Sequence, residues 1–508
     1  MITHFGQPLV AALTCMCVGV TAGAEPGTAG GIEVLEGFTV ELVLDGLTYP
    51  TSVEFDGDGG IFIGESGYSY GDPVAPARVL RLSRDGDIRI VASDFQAPLN
   101  DLLRHDDHLL IADRGRVLRL DPIDGSRKVL VQGLPSDGDH HNNQMSIGPD
   151  GLIYFGQGTA TNSGVVGLDN YKMGWLPQHP EFHDQPAYPI ALRDRSYKTP
   201  NPLTLKEPGT VSTAPFHPFG KAAHDIVKAI SKPSGVIYRM PPDGGKLEVM
   251  AWGLRNPYGF VWDEAGRAFI TENGFDVRGS RPIANDREDL YRFVEGGWYG
   301  WPDYGSGDPV TDGRFVPPDG DAPQFLMAEH PPVQQPLMTF PPHSAICKMA
   351  AVDGDGPEAL RGSLLIAFWG HLTPMTGEVQ EHGGHRVLAI DPEAGTSRIL
   401  LRGSHGHGGQ SMNDGEHGQG AGNGHHEQEN QPSPDKHHGS GDEGSPGLER
   451  PIDVLVAPDG NAIYVVDFGR VHVSKEGGVR PVPGSGKLWR VMPNGVQHAG
   501  PPSGLRLR

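Results

Sequence analysis

The chain has 508 residues, of which 73 are Gly and 46 are Pro, about twice the usual combined share. That density of helix breakers excludes a helical bundle, a coiled coil or a helical solenoid, and the lack of a Gly-X-Y period excludes collagen. A net charge of −22 argues against nucleic acid or an anionic membrane surface as a partner.

Residues 1–24 carry no Lys, Arg, Asp or Glu, hold an apolar run from Leu9 to Val20 and end in Ala22-Gly23-Ala24. This pattern predicts a cleaved export signal, and hence a periplasmic or extracellular protein with no stable membrane insertion. Cys15 and Cys17 fall inside that signal, so the mature chain keeps only Cys347 and has no intrachain disulfide. Residues 25–34 read as an N-terminal linker.

From residue 35 onward one hairpin recurs six times: a short apolar strand, a turn commonly marked by Asp-Gly, and a second apolar strand. The copies span 49–67, 98–115, 142–159, 256–274, 346–370 and 451–469. Asp-Gly between apolar runs is a hairpin signal because the turn needs a positive φ. Each copy is followed by a second strand–turn–strand pattern, at 77–93, 115–134, 235–254, 290–302, 385–403 and 486–495. Four short strands per unit, six times over, predict an all-β chain folded as a six-bladed β-propeller.

The propeller is expected to occupy 35–403 and 448–498, with a C-terminal tail at 499–508. Long loop insertions are expected at 160–234, 301–345 and 371–384. The tract 404–447 holds seven His and 12 Gly and reads as a disordered His-rich insert of low complexity.

A hairpin whose turn lies on one face returns both its ends to the other. The residues just before each first strand and just after each second strand therefore gather at one mouth of the central channel. After the second strands stand Glu65, Asp113, Gln157, Glu272, Phe368 and Asp467. Arg114, Asp139, His140, His141, Arg255, Asn256, Arg450 and Arg470 stand beside them, and His343 and Lys348 flank the fifth copy. Such a basic cluster in an acidic chain faces either a bound anion or the protein's own carboxylates. The acidic residues also suit a plainer role as turn caps paired with neighbouring Arg. Asp139 beside His140 suggests a carboxylate that fixes an imidazole tautomer.

The segments GDHHNNQMSIGPDGLIYFGQGT (138–159), GLRNPYGFVWDEAGRAFITENG (253–274) and REDLYRFVEGGWYGWP (287–302) resemble the glucose/sorbosone dehydrogenase family, as does ERPIDVLVAPDGNAIYVVDFG (449–469). The family's members are exported six-bladed propellers that use pyrroloquinoline quinone (PQQ) and calcium. The resemblance implies that His140 is the general base for a sugar or aldehyde substrate, with Asp139 and Arg255 in the catalytic group and His141 the fallback base. It implies that Arg255, Asn256, Lys348 and Arg450 contact PQQ. Calcium would be held by backbone carbonyls at Gly274 and Phe275, and Asp289 would serve a structural calcium. The electron acceptor would be a quinone, a cytochrome or a dye. Asn100-Asp101, Asn143-Gln144-Met145 and Ile452 depart from the family pattern and set the chain outside its glucose-oxidising core group. Two other readings stay open: a non-catalytic binding or scaffold propeller, and a metal-dependent lactonase-like hydrolase using Glu65, Asp113 and Asn256.

Overall fold

A computed structural model describes residues 31–68, 75–204, 209–222, 226–379, 383–403, 447–474 and 478–507. The expected export signal and the His-rich tract up to residue 446 lie outside the described residues.

Six antiparallel sheets form the blades of a propeller. Blade 1 runs outward from the channel through Pro50–Phe55, Ile61–Glu65, Ala77–Leu82 and Ile88–Phe95. The innermost strands of blades 2 to 6 are Leu99–His105, Asn142–Ile147, Pro257–Trp262, Ile346–Ala351 and Pro451–Val456. Each innermost strand touches the next, and the sixth touches the first, so the ring is closed.

The apolar runs of the second strands follow from this geometry. Successive side chains point to opposite faces of a sheet, and here each face meets a different neighbouring blade. Ile61 and Ile63 pack toward blade 6 while Phe62 packs toward blade 2. Ile153 and Phe155 pack toward blade 2 while Tyr154 packs toward blade 4. One apolar cluster fills each of the six blade–blade interfaces.

Three details differ from the sequence reading. The outer strand of blade 4 is Met338–Phe340, near the end of the segment expected as the second insertion, and not part of 290–302. Trp298 and Trp301 instead turn into an apolar cluster of the insertions, and Tyr299 and Trp301 donate backbone N–H bonds back to Trp252 and Gly253 of blade 3. In blade 6 the fourth strand is Phe38–Leu47, brought from the N-terminal side to close the ring. The segments expected as linker and tail also enter sheets: Ile32–Val34 pairs with Thr396–Gly403 of blade 5, and Leu505–Arg506 lies parallel to Phe38–Leu47.

The first two insertions pack together over the mouth side through Ile190, Phe216, Phe275, Trp298, Phe315 and Met327. Arg281 ties them down by donating to Asp303 at 3.0 Å and to the Pro302 carbonyl at 2.8 Å.

Candidate functional site

One mouth of the channel opens into a cavity of about 400 Å³ built from blade ends. Blade 3 contributes His140; blade 4 contributes Arg255, Asn256, Asn273 and Gly274; blade 5 contributes His343, Trp369 and His371. Tyr68 of blade 1 and Val479 of the last blade's loop complete the opposite wall. The cavity thus has a polar side and an aromatic side, as small-molecule sites commonly do.

His140 sits where strand Asn142–Ile147 begins, opposite Gly158. A Cβ at Gly158 would collide with His140, so only glycine lets the imidazole lie this close. Its Nδ1 faces the Thr159 carbonyl at 3.0 Å and the Thr159 hydroxyl at 3.2 Å, and that hydroxyl is itself donated to the Thr161 carbonyl. A carbonyl can only accept, so Nδ1 carries the hydrogen and Nε2 keeps its lone pair. Burial, then the nearby Arg255 and Arg278, push the His140 pKa well below its ordinary value, so the ring is neutral at pH 7.

Asp139 does not set that tautomer. Its carboxylate turns away from the His140 ring and accepts from Asn170 at 3.0 Å and from Arg278 at 2.8 Å. His141 lies edge-on to Trp175, outside the cavity.

Arg255 and Asn256 stand together in the cavity wall. Arg255 donates to Asp276 at 2.7 Å and to Asn162 Oδ1 at 2.9 Å. Asn256 donates to Asn273 at 2.7 Å and accepts from Asn143 at 2.9 Å. Asp276 and Arg278 belong to the same wall and were not singled out in the sequence. They lie in the irregular segment after the second strand of blade 4, where no repeat register applies. Burial opposes the charge on Arg278, but Asp139, Asp276 and Asp169 together hold its pKa well above the ordinary value.

Lys348 lies elsewhere. It is fully buried on the innermost strand of blade 5, with Nζ 2.6 Å from Asp101 and 3.3 Å from Asp453. Asp101 and Asp453 line a second cavity at the far mouth, so Lys348 is tied to that end. Arg450 stands behind the aromatic wall: its guanidinium lies 4.1 Å from the Trp369 ring centroid and donates to the Trp369 and His371 carbonyls. Burial pushes its pKa down to about 10.

The acidic blade ends are clamps. Glu65 accepts from the Thr48 N–H and pairs with Arg78; Asp113 accepts from the Gln96 N–H and pairs with Arg116. Asp467 accepts from the backbone of Glu449 and Arg450 and stands opposite Lys487. Neither Glu65 nor Asp113 lines the cavity, so the ligand set of a lactonase is not gathered there.

Blade 4 breaks this pattern. Glu272 clamps the Arg255 and Asn256 N–H groups, yet its cross-strand partner is Asp289 rather than a cation. Two carboxylates directly opposite each other repel. Glu272 Oε2 and Asp289 Oδ1 are buried without hydrogen-bond partners. Burial pushes the Glu272 pKa up to about 8 and, with the neighbouring Asp286 and Glu272 charges, lifts that of Asp289 well above normal. Asp286 stands beside them and accepts the Phe275 N–H at 2.8 Å. Gly274 lines the cavity, and Phe275 is buried behind it. Among the described residues no three His, Cys, Asp or Glu side chains are drawn into a finished metal site. The orphaned oxygens and the missing cation nevertheless match what a divalent ion with oxygen ligands requires.

Residues 232–373 match the family model described as Glucose / Sorbosone dehydrogenase. The PQQ domain of pyranose dehydrogenase from Coprinopsis cinerea, in its holo form, superposes with a TM-score of 0.50 at 16% identity, over 91% of this chain and 97% of that one. A Trichoderma reesei enzyme of carbohydrate-active family AA12, an iodide structure, gives a TM-score of 0.51 at 14% identity, over 93% of this chain and all of the other. At such identity these likenesses speak to the fold. No curated protein matches in sequence. Fold and site define a six-bladed propeller with an ion-paired polar cavity at one mouth. The family match lies across blades 3 to 5, over the part of the chain that carries the resemblance seen at 253–274 and 287–302.

Proposed function

We propose that this chain is an exported PQQ- and calcium-dependent dehydrogenase that oxidises an aldose, or a related aldehyde or alcohol, at C1. The observation that carries the reading is His140: a buried, neutral imidazole whose Nδ1 is held by the Thr159 carbonyl, in one cavity with Arg255 and Asn256. A base must be unprotonated and aimed, and His140 meets both conditions through Nε2.

The donor set fits a flat, anionic quinone. Arg255 and Asn256 offer N–H groups on one wall, and Tyr68 and Trp369 offer aromatic rings on the other. PQQ, when bound, supplies the hydride-accepting chemistry. His140 Nε2 receives the proton of the substrate hydroxyl. Arg255, fixed by Asp276 and Asn162, stabilises negative charge on a neighbouring oxygen. Asn256 orients that oxygen, and the aromatic wall excludes water. A calcium ion would be held by Glu272 and Asp289, with Asp286 beside them, and would supply the positive charge that an Arg or Lys provides in blades 1, 2 and 6.

The test is to titrate the cofactor-free protein with PQQ and calcium, then follow dye reduction across a panel of sugars and aldehydes. Saturable PQQ absorbance changes and substrate-dependent reduction are expected. A chain that binds no PQQ overturns the reading.

A further inference from the structure

His343 has no role in the chemistry above, yet it lines the same cavity as His140. It enters from the start of blade 5, on the other side of Arg255 and Asn256 in the ring. Its side chain is only 4% exposed, and its Nδ1 lies 3.6 Å from Asp276 Oδ1. Its backbone is held in the left-handed region at φ 61°, a conformation uncommon outside Gly, although His adopts it more readily than most residues. Above the ring passes Gly377, at φ 122°. A Cβ there would come 3.3 Å from His343 Nε2 and 2.8 Å from Val277 Cγ2, so the glycine keeps that ring nitrogen clear.

We propose that His343 is a hydrogen-bond donor to the ligand of this cavity: its Nδ1 faces Asp276 at 3.6 Å, and its Nε2, beneath Gly377, donates to an anionic oxygen of the bound quinone cofactor. This role rests on the PQQ reading, because it names the atom that receives the bond. The charged groups around the ring are Asp276, Glu288 and Arg255. Burial works against its charge, but the Asp276 contact outweighs it and the His343 pKa is raised. The cavity therefore holds two imidazoles with opposite tendencies: His140 stays neutral and accepts, while His343 holds its proton and donates. A carboxylate that orients one imidazole while another faces the substrate is a sound way to separate the two tasks.

The experiment has two arms. In the first, imidazole nitrogen NMR on the cofactor-free full chain follows both histidines across pH 5–8. His343 is expected to remain doubly protonated to a higher pH than His140, and Asp276→Asn is expected to remove that difference. A His343 ring that is neutral throughout, or indifferent to Asp276→Asn, overturns the proposal whether or not PQQ binds.

The second arm titrates PQQ without substrate into wild type, His343→Asn and His343→Gln. Asn tolerates the backbone angle while removing the imidazole, and Gln restores a donor of similar reach. Affinity is expected to fall about tenfold for His343→Asn, the scale of one hydrogen bond to a charged group, and to recover in part for His343→Gln. Equal affinity in all three overturns the His343 role and leaves the PQQ reading standing. A wild type that binds no PQQ overturns both.

Discussion

In the proposed reaction, the base His140 depends on one backbone carbonyl rather than on a carboxylate. The Thr159 oxygen fixes the tautomer, so removing the imidazole should damage the chemistry more than the fold. His140→Gln is expected to lower kcat/KM by roughly 10²- to 10⁴-fold, the range of general-base catalysis, with PQQ affinity changed far less; steady-state kinetics beside a PQQ titration check this. The neighbouring His141 gives a pH prediction. Burial pushes its pKa down to about 3, while an unfolded His titrates near 6.5. Between those values the unfolded chain binds more protons, so stability falls as pH drops from about 6.5 toward 3. Denaturant unfolding measured from pH 4 to 8 should show that slope, flattened in His141→Gln. His140, Arg255 and Asn256 were legible in the sequence because they stand at repeat positions whose geometry is fixed. Asp276 and Arg278 were not, because the loop that carries them has no counterpart in other blades. The Asp139–His140 dipeptide misled because the chain bends at Asp139, whose carboxylate is engaged by Asn170 and Arg278 instead of the imidazole.

Among the elements, the second strands were the most readable, since each must present apolar side chains to two neighbouring blades. Outer strands were the least readable. They come from wherever the chain can supply an edge, as with Met338–Phe340 in blade 4 and Phe38–Leu47 in blade 6. The latter joins the two ends of the propeller, so it carries the ring closure. Removing residues 1–47 should abolish cooperative unfolding or lower the Tm sharply, as differential scanning calorimetry would show. Blade 4 makes a second prediction at this scale. Glu272 opposite Asp289 lacks the cation that blades 1, 2 and 6 place there. Chelation of calcium should therefore lower the Tm of the cofactor-free protein. Asp289→Asn should make the Tm insensitive to calcium, because the repulsion and one ligand charge are removed together. A wild-type Tm unchanged by chelator would argue against an ion at this pair.

Across the whole molecule, the channel separates two mouths with different electrostatics, and Lys348 lies on the far side of that division. A lysine on an acidic propeller invites assignment to an anionic cofactor, and composition alone offers no way to see otherwise. The fold shows that Lys348 joins three blades instead, through Asp101 of blade 2 and Asp453 of blade 6. Asp453 in turn accepts the Val53 N–H of blade 1, and Asp101 accepts the Met145 N–H of blade 3. This one ammonium thus supports a hydrogen-bonded girdle that reaches five of the six innermost strands. Removing one partner of a buried ion pair leaves uncompensated charge and costs about 3–5 kcal/mol. Lys348→Met should therefore destabilise the protein by about that amount, read as a shift in the denaturant midpoint. PQQ affinity and kcat/KM, measured where the variant is still folded, should stay near wild type. Burial already pushes the Asp101 pKa up to about 6. Losing the ammonium would raise it further, so the loss of stability should shrink at low pH, where Asp101 can be protonated. Adding Asp101→Asn should recover part of the lost stability by removing one of the two stranded charges. A Lys348→Met variant with native stability and weakened PQQ binding would return the residue to the cofactor. The midpoint and the titration, taken on the same preparation, decide between those outcomes.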